Sequence, residues 1–301
     1  MDLTKFTTFT HPSVRDLAWA IGSSVLLEAP SGRLGFNMID NQWVEDRYMR
    51  HYQWLQGIDE NPLSLLSFLN KKNDALIGKY FESLLEFWFT HHTDFELVLS
   101  NVQVKDAQQT LGEIDFILND TFSEETYHLE VACKYYYSKF NRTDWNSWWG
   151  PNHQDKLSLK MEKFGRQTSL IKNAQGRKIL NSCGIPSIPS VVLLKGYFFY
   201  PYNLLEKALT PRWSSSHHCA GWCLPLNDLP ILADTGRQWC VLPKKSWLAP
   251  YSSQNNELPI YSGREMVDLL HAEKEYATKL VAQVEQNEQG YWIESHRALV
   301  V

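Results

Sequence analysis

Two apolar segments, close together in the chain, carry charges where a core strand normally has none. Leu111-Gly112-Glu113-Ile114-Asp115-Phe116-Ile117-Leu118 and His128-Leu129-Glu130-Val131-Ala132-Cys133-Lys134-Tyr135 both read as β-strands. Side chains alternate between the faces of a strand, so Leu129, Val131 and Cys133 point one way while His128, Glu130, Ala132 and Lys134 point the other. An acid and an amine therefore share one face of an apolar strand. Asp115 sits among Ile114, Phe116 and Leu118, where an unpaired carboxylate is costly or shifts its pKa. Charges so placed have a partner, hold a metal or do chemistry.

The surrounding pattern is a mixed α/β one. Residues 12–70 read as mostly helical, with helices at 12–21, 43–55 and 63–69. A helix over 74–90 has Leu76, Tyr80, Leu84 and Trp88 as its apolar stripe, and places Glu82 and Glu86 on one face. Strands are expected at 95–104, 111–119 and 127–137, then a loop at 141–153. A helix over 155–173 buries Leu157, Met161, Phe164 and Ile171 and carries Lys156, Lys160, Lys163 and Gln167 on its other side. That lysine stripe is either a solvated face or a track for a phosphate backbone. A strand over 191–200 stops at Pro201. Beyond it, strand-like runs at 221–226, 238–242 and 246–251 precede a helix over 263–285 and a last strand over 291–300.

Bulk properties narrow the classes. With 301 residues, 44% hydrophobic and 21% charged, the chain has the composition of a globular protein. It lacks the roughly 18 to 20 uninterrupted apolar residues of a membrane span. Its first residues lack the organisation of a signal peptide, so the expectation is a cytoplasmic protein without membrane contact. Five cysteines are an odd, sparse set, as for reduced thiols. His217, His218, Cys219 and Cys223 give a zinc site little support, because no second ligand pair of matching spacing follows. A net charge of −5 argues against a surface that binds nucleic acid throughout, while leaving room for a local basic groove. Tyr135, Tyr136, Tyr137, Trp145, Trp148 and Trp149 cluster as either packing or a stacking platform for bases.

Five motifs occur in a fixed order across 66–201. They are Gly78-Lys79-Tyr80-Phe81-Glu82, Gly112-Glu113-Ile114-Asp115, Leu129-Glu130-Val131-Ala132-Cys133-Lys134-Tyr135-Tyr136, Gly150-Pro151-Asn152 ahead of a helix, and Lys195-Gly196-Tyr197-Phe198-Phe199-Tyr200-Pro201. The ordered set resembles the DUF1853 family, a branch of the PD-(D/E)XK nuclease superfamily. The resemblance implies an α/β, restriction endonuclease-like mixed sheet flanked by helices. Residues 1–70 would be a helical N-terminal segment, 71–205 the nuclease-like core, and 206–301 a C-terminal accessory layer packed on it. It also implies a Mg²⁺ or Mn²⁺ dependent nuclease or nuclease-like phosphodiesterase. Asp115, Glu130 and Glu82 would be metal carboxylates, Lys134 the transition-state cation, and Gln167 a residue positioning substrate or water. DNA or RNA would be met by Lys156, Lys160, Lys163 and Trp148. One departure stands out: the superfamily places acid and lysine two residues apart, and here that position is Ala132. Glu130 and Lys134 lie roughly 13 Å apart along an extended strand. The alternative is a catalytically degenerate nuclease fold that binds nucleic acid or a protein partner, with Lys134 paired to an acid such as Glu86.

Overall fold

The computed structural model describes residues 4–107, 109–204, 207–254, 257–272 and 278–301. In chain order the elements begin with helices α1 (Thr4–Thr7) and α2 (Pro12–Gly22), the short strand β1 (Asn37–Met38), and helices α3 (Asn41–Glu60), α4 (Leu63–Lys72) and α5 (Ile77–His91). Strands β2 (Phe95–Asp106), β3 (Gln109–Asp120) and β4 (Glu125–Tyr137) follow, then α6 (Leu157–Ser169), α7 (Ala174–Ser182) and β5 (Ser190–Pro201). The remainder is β6 (Cys219–Leu224), β7 (Gln238–Leu242), β8 (Ser252–Ser253), β9 (Tyr261–Ser262), α8 (Gly263–Ala272), β10 (Lys279–Gln286) and β11 (Trp292–Val300).

All strands join one mixed sheet in the order β2-β3-β4-β5-β6-β11-β10-β7-β9, with β1 on β5 and β8 on β11. The first three strands are antiparallel, β4 to β5 to β6 to β11 are parallel, and the far edge is antiparallel again. Strands β6 to β11 thus extend the sheet of the preceding core. Helices cover both faces. Trp19, Phe81, Leu84 and Trp88 from α2 and α5 pack on Leu129, Val131 and Tyr197 in the largest core cluster. On the other face Met161 and Phe164 of α6 meet Ala132, Tyr136 and Phe198. The alternation of β4 therefore divides its side chains as its sequence dictates, and His128, Glu130 and Lys134 belong to the face beneath α6.

Two expectations for the C-terminal third are corrected. Residues 246–251 are not a strand: Trp247–Tyr251 is a buried irregular segment. Arg297 donates to the Trp247 and Ala249 carbonyls, and the Ala249 N–H donates to Asp16, so side chains satisfy backbone groups that a ladder would otherwise serve. Nor is 263–285 one helix. The described helix is Gly263–Ala272, and Lys279–Gln286 is a strand between β11 and β7, with Leu280, Val281, Ala282 and Val284 buried. Burial on both faces makes that strand a continuous apolar run, which periodicity alone does not separate from a helix.

The motif on β5 works through its backbone and its amine. Gly196 adopts φ 132°, and a Cβ there would fall 1.7 Å from the Lys134 carbonyl oxygen. Only glycine fits this approach. Lys195, fully buried, donates to the carbonyls of Ile21 at 2.8 Å and Ser23 at 2.6 Å, satisfying orphan acceptors at the end of α2. Burial drives its pKa well below the usual lysine range.

Candidate active site

The β3–β4 ladder stops in mid-sheet. It runs from Asp120 and Glu125 to Phe116 and Leu129 and ends there, although β3 continues along β2 and β4 continues along β5. The strands fork, and Asp115 and Glu130 are the first residues past the last pair. The Val131 N–H, left without a ladder partner, donates to Asp115 Oδ2 at 3.0 Å. That bond explains how an acid is accommodated in the middle of an apolar strand. Opposite Asp115, between Ser100 and Val102, β2 takes the left-handed residue Asn101 (φ 51°).

Glu130 has 0% exposure and Asp115 7%. Glu130 Oε1 lies 2.8 Å from His128 Nε2, and His128 Nδ1 lies 3.0 Å from Ser190 Oγ. The single Ser190 hydroxyl proton goes to the Thr168 carbonyl at 3.0 Å. Nδ1 of His128 must then carry the proton, and Nε2 faces Glu130 as an acceptor. Burial pushes His128 down to about 4 and Glu130 up to about 7. When protonated, Glu130 donates to His128, and the two make a neutral dyad. Its Oε2 has no hydrogen bond. Asp115 is raised to about 7, first by burial and then by the neighbouring Glu130, with the Val131 N–H and Lys160 acting the other way.

The cations are arranged differently from the sequence expectation. Lys134 Nζ lies 2.5 Å from Asp155 Oδ2. It pairs with neither Glu130 nor Glu86, whose two oxygens each take Lys72 Nζ at 2.8 Å. Asp155 is presented by the Gly150-Pro151-Asn152 loop. Asn152 Oδ1 accepts from the backbone N–H groups of Gln154 and Asp155, and a Cβ on Gly150 would stand 2.9 Å from that of Asp155. The lysine that faces the acids is Lys160 of α6. Burial, then Lys163 and Lys134, lower its pKa to about 8, while Asp115 and Glu130 act to raise it. Its ammonium also stands 3.9 Å from the centre of the Phe164 ring.

Glu82 lines the same cleft and feels the charge of Asp115, but it is held by a cation of its own. Its Oε2 takes Lys79 Nζ at 2.5 Å, and that lysine also reaches Glu113 at 3.3 Å. Burial raises the Glu82 pKa, against the pull of Lys79. Glu82, Asp115 and Glu130 do not form a three-ligand set. Among the described residues, His51, His92 and Asp94 do, with ligand atoms within 4.8 Å of one another. That knot is already saturated. Arg50 grips Asp94 and Arg47 lies 3.6 Å away, while His51 donates to Asp94 and accepts from the Trp88 indole. Burial acts to raise Asp94, but the bonds from Arg50 and His51 outweigh it and bring it to about 2. Two guanidiniums facing one carboxylate oppose a divalent cation, and the group serves to tie α3 to β2.

Two hollows flank the fork. A cleft of about 660 Å³ is lined by Gly78, Glu82, Val131, Lys134, Lys160 and Trp247, among others. A smaller hollow of about 370 Å³ lies towards β3, lined by Thr110, Gly112, Glu113, Arg166 and Gln167. Lys163 borders both. Gln167 thus sits in the second hollow, and its Oε1 is buried without a partner. Trp148 is corrected outright. It is fully buried, edge-on to Phe198 and Tyr200, and donates to the Arg142 carbonyl, so no face of its ring is free for a base. Lys156 lies over the Trp149 ring at 3.9 Å. Cys219 and Cys223 are buried four residues apart on β6, roughly 13 Å along one strand, and His218 is spent on Tyr200 and Ser215.

Sequence reasoning named two members of the site, His128 and Lys160, without the roles that their neighbours give them. His128 lies on the Glu130 face of β4, and only its neighbour Ser190 on β5 fixes its tautomer. Lys160 was indistinguishable from the other lysines of its stripe until α6 was docked. No helix among the described residues is long and apolar enough to cross a membrane. A family model described as "Domain of unknown function (DUF1853)" matches residues 15–301. No curated protein and no solved structure matches the chain.

Proposed function

The chain belongs to the DUF1853 family, and from the acid pair at its fork we propose a metal-dependent, nuclease-like phosphodiesterase on a restriction endonuclease-like core. The observation that carries this reading is the meeting of Asp115 and Glu130, from strands that part at that point, both raised to about 7 and buried beside lysines that line a cleft. A fold gains nothing from burying two adjacent acids that repel when ionised. The unpartnered Oε2 of Glu130 beside Asp115 fits a divalent cation, and Mg²⁺ is commonly held by one or two carboxylates. A Mg²⁺ or Mn²⁺ ion bound there supplies a Lewis acid and lowers the pKa of water.

The protein's own groups have separable tasks. His128, fixed by Ser190, holds Oε1 of Glu130 and leaves Oε2 without a hydrogen bond. Lys160 places positive charge over the acids, where a phosphodiester gains negative charge as it is cleaved. Lys134, with Asp155, borders the cleft beside it as a substrate contact. Glu82, held by Lys79, stands at the rim.

Calorimetric titration of Mn²⁺ tests the reading. Binding by the parent and its loss in Asp115→Asn are expected, with Mn²⁺-dependent cleavage of DNA or RNA by the parent alone; equal binding by both proteins removes Asp115 from the site. A second reading is a degenerate site that binds nucleic acid without cutting it. The Lys134–Asp155 pair favours it, because the lysine that the superfamily keeps beside its acid is engaged elsewhere. Binding without cleavage in any metal would select it.

A further inference from the structure

The proposed phosphodiesterase reading leaves open which form of nucleic acid reaches the acids, and the shape around the fork bears on that. Asp115 and Glu130 lie below the surface, and Val131, the residue after Glu130, lines the larger cleft with Lys160. The cleft has two walls. One is the start of α5, at Leu76 to Gly78; the other is the C-terminal region, with Lys244, Trp247 and Thr278. Thr278 Oγ1 donates to the Pro151 carbonyl at 2.7 Å, joining that wall to the loop that holds Asp155. A volume of about 660 Å³ is that of a small-molecule site, enough for a nucleotide or two. A duplex, whose major groove alone is about 12 Å wide, does not enter it, and its stiff backbone does not dip to a buried carboxylate.

The second hollow supplies a continuation. Lys163 is shared by both, and Arg166 and Gln167 lie one helical turn further on α6. A chain running from the walled cleft past Lys163 to Arg166 passes beside the fork, because Val131, next to Glu130, lines the first hollow, Gly112 and Glu113, just before Asp115 on β3, line the second, and Lys163 borders both. The buried Oε1 of Gln167 points to a hydrogen-bond donor along that route. Successive cations bordering a narrow hollow are what a flexible phosphate backbone requires.

We propose that the fork takes single-stranded nucleic acid, threaded from the walled cleft past Lys163 into the hollow at Arg166 and Gln167, and that duplex is used only where its strands have separated. The test is equilibrium binding in chelator, which needs no catalysis, with fluorescent oligothymidylate, oligouridylate and a blunt DNA duplex of equal length. The expected result is at least tenfold tighter binding of a single strand than of the duplex; the thymidylate and uridylate arms tell DNA from RNA. Lys163→Glu with Arg166→Glu should weaken single-strand binding tenfold or more and flatten its log-log salt slope by about 1.4 units. Lys71→Glu, on α4 across the sheet, should leave both unchanged. Equal affinity for duplex, no binding of either strand, or equal effects of the two sets of substitutions would overturn the threading. Mn²⁺-dependent cuts inside a blunt duplex would overturn it while sparing the phosphodiesterase reading; single-strand binding with no cleavage of any substrate would do the reverse.

Discussion

Asp115 and Glu130 bind protons in the folded chain at pH values where the unfolded chain has released them, because burial raises both to about 7. The native state then carries the extra protons. The pair's contribution to stability is full below the ordinary carboxylate range and is lost as pH rises through about 7. His128, lowered to about 4, contributes in the opposite sense as pH rises towards its unfolded value, so the comparison that isolates Asp115 is between parent and variant. Asp115→Asn should have a melting temperature that falls less than the parent's between about pH 4 and pH 8, as scanning calorimetry over that range would show; parallel curves would mean that Asp115 titrates normally. The two lysines should separate by kinetics. Lys160→Ala is expected to reduce single-turnover cleavage about a hundredfold or more with substrate affinity nearly intact. Lys134→Ala, which releases a partly exposed Asp155, should weaken binding more than it slows cleavage and hardly alter the melting point.

At the scale of elements, the fork rests on a contact between two strands that leaves no room. Gly196→Ala places a methyl group 1.7 Å from the Lys134 carbonyl oxygen and asks an alanine to adopt φ 132°, so it should cost at least about 3 kcal/mol. Denaturant unfolding would measure that loss, and a midpoint unchanged from the parent would mean that β5 relaxes freely. Much of this neighbourhood was legible in the sequence. The alternation of β4 gave its two faces, and the mid-strand Asp115 announced the need for a partner that the Val131 N–H meets. The limits are equally physical. A period of two says which face carries Lys134 but not which acid on the next loop it meets, and Asp155 wins because Gly150 and Asn152 fold it back. The lysine stripe of α6 was visible, yet which lysine overlies the acids depends on how Met161 and Phe164 dock the helix on Ala132 and Tyr136. Trp148 looked available as part of an aromatic loop, and the packing of Phe198 and Tyr200 around it, from residues far along the chain, takes it away.

For the whole molecule, the unbroken sheet makes the C-terminal region part of the same body as the fork. β5 pairs with β6, β6 with β11, and Arg297 of β11 stands 4.0 Å over the Tyr197 ring of β5. A chain cut after Pro201 would bare one side of β5 along Tyr197 to Pro201 and lose the Trp247 wall of the cleft. Such a truncation should be insoluble or unfolded, whereas the full chain should melt in a single transition with matching calorimetric and van't Hoff enthalpies; two resolved transitions would show that the halves fold separately. The position of β11 has a further consequence, for the order of events at the ribosome. β6 waits for a neighbour that is synthesised one helix and four strands later, so the nascent chain carries an uncovered parallel edge at Trp222–Leu224 for several seconds of elongation. Until Trp292–Val300 slots between β6 and β10, that edge is open to pairing with another chain. Rapid translation through residues 225–300 should therefore raise the yield of soluble protein, and slow codons placed there should lower it.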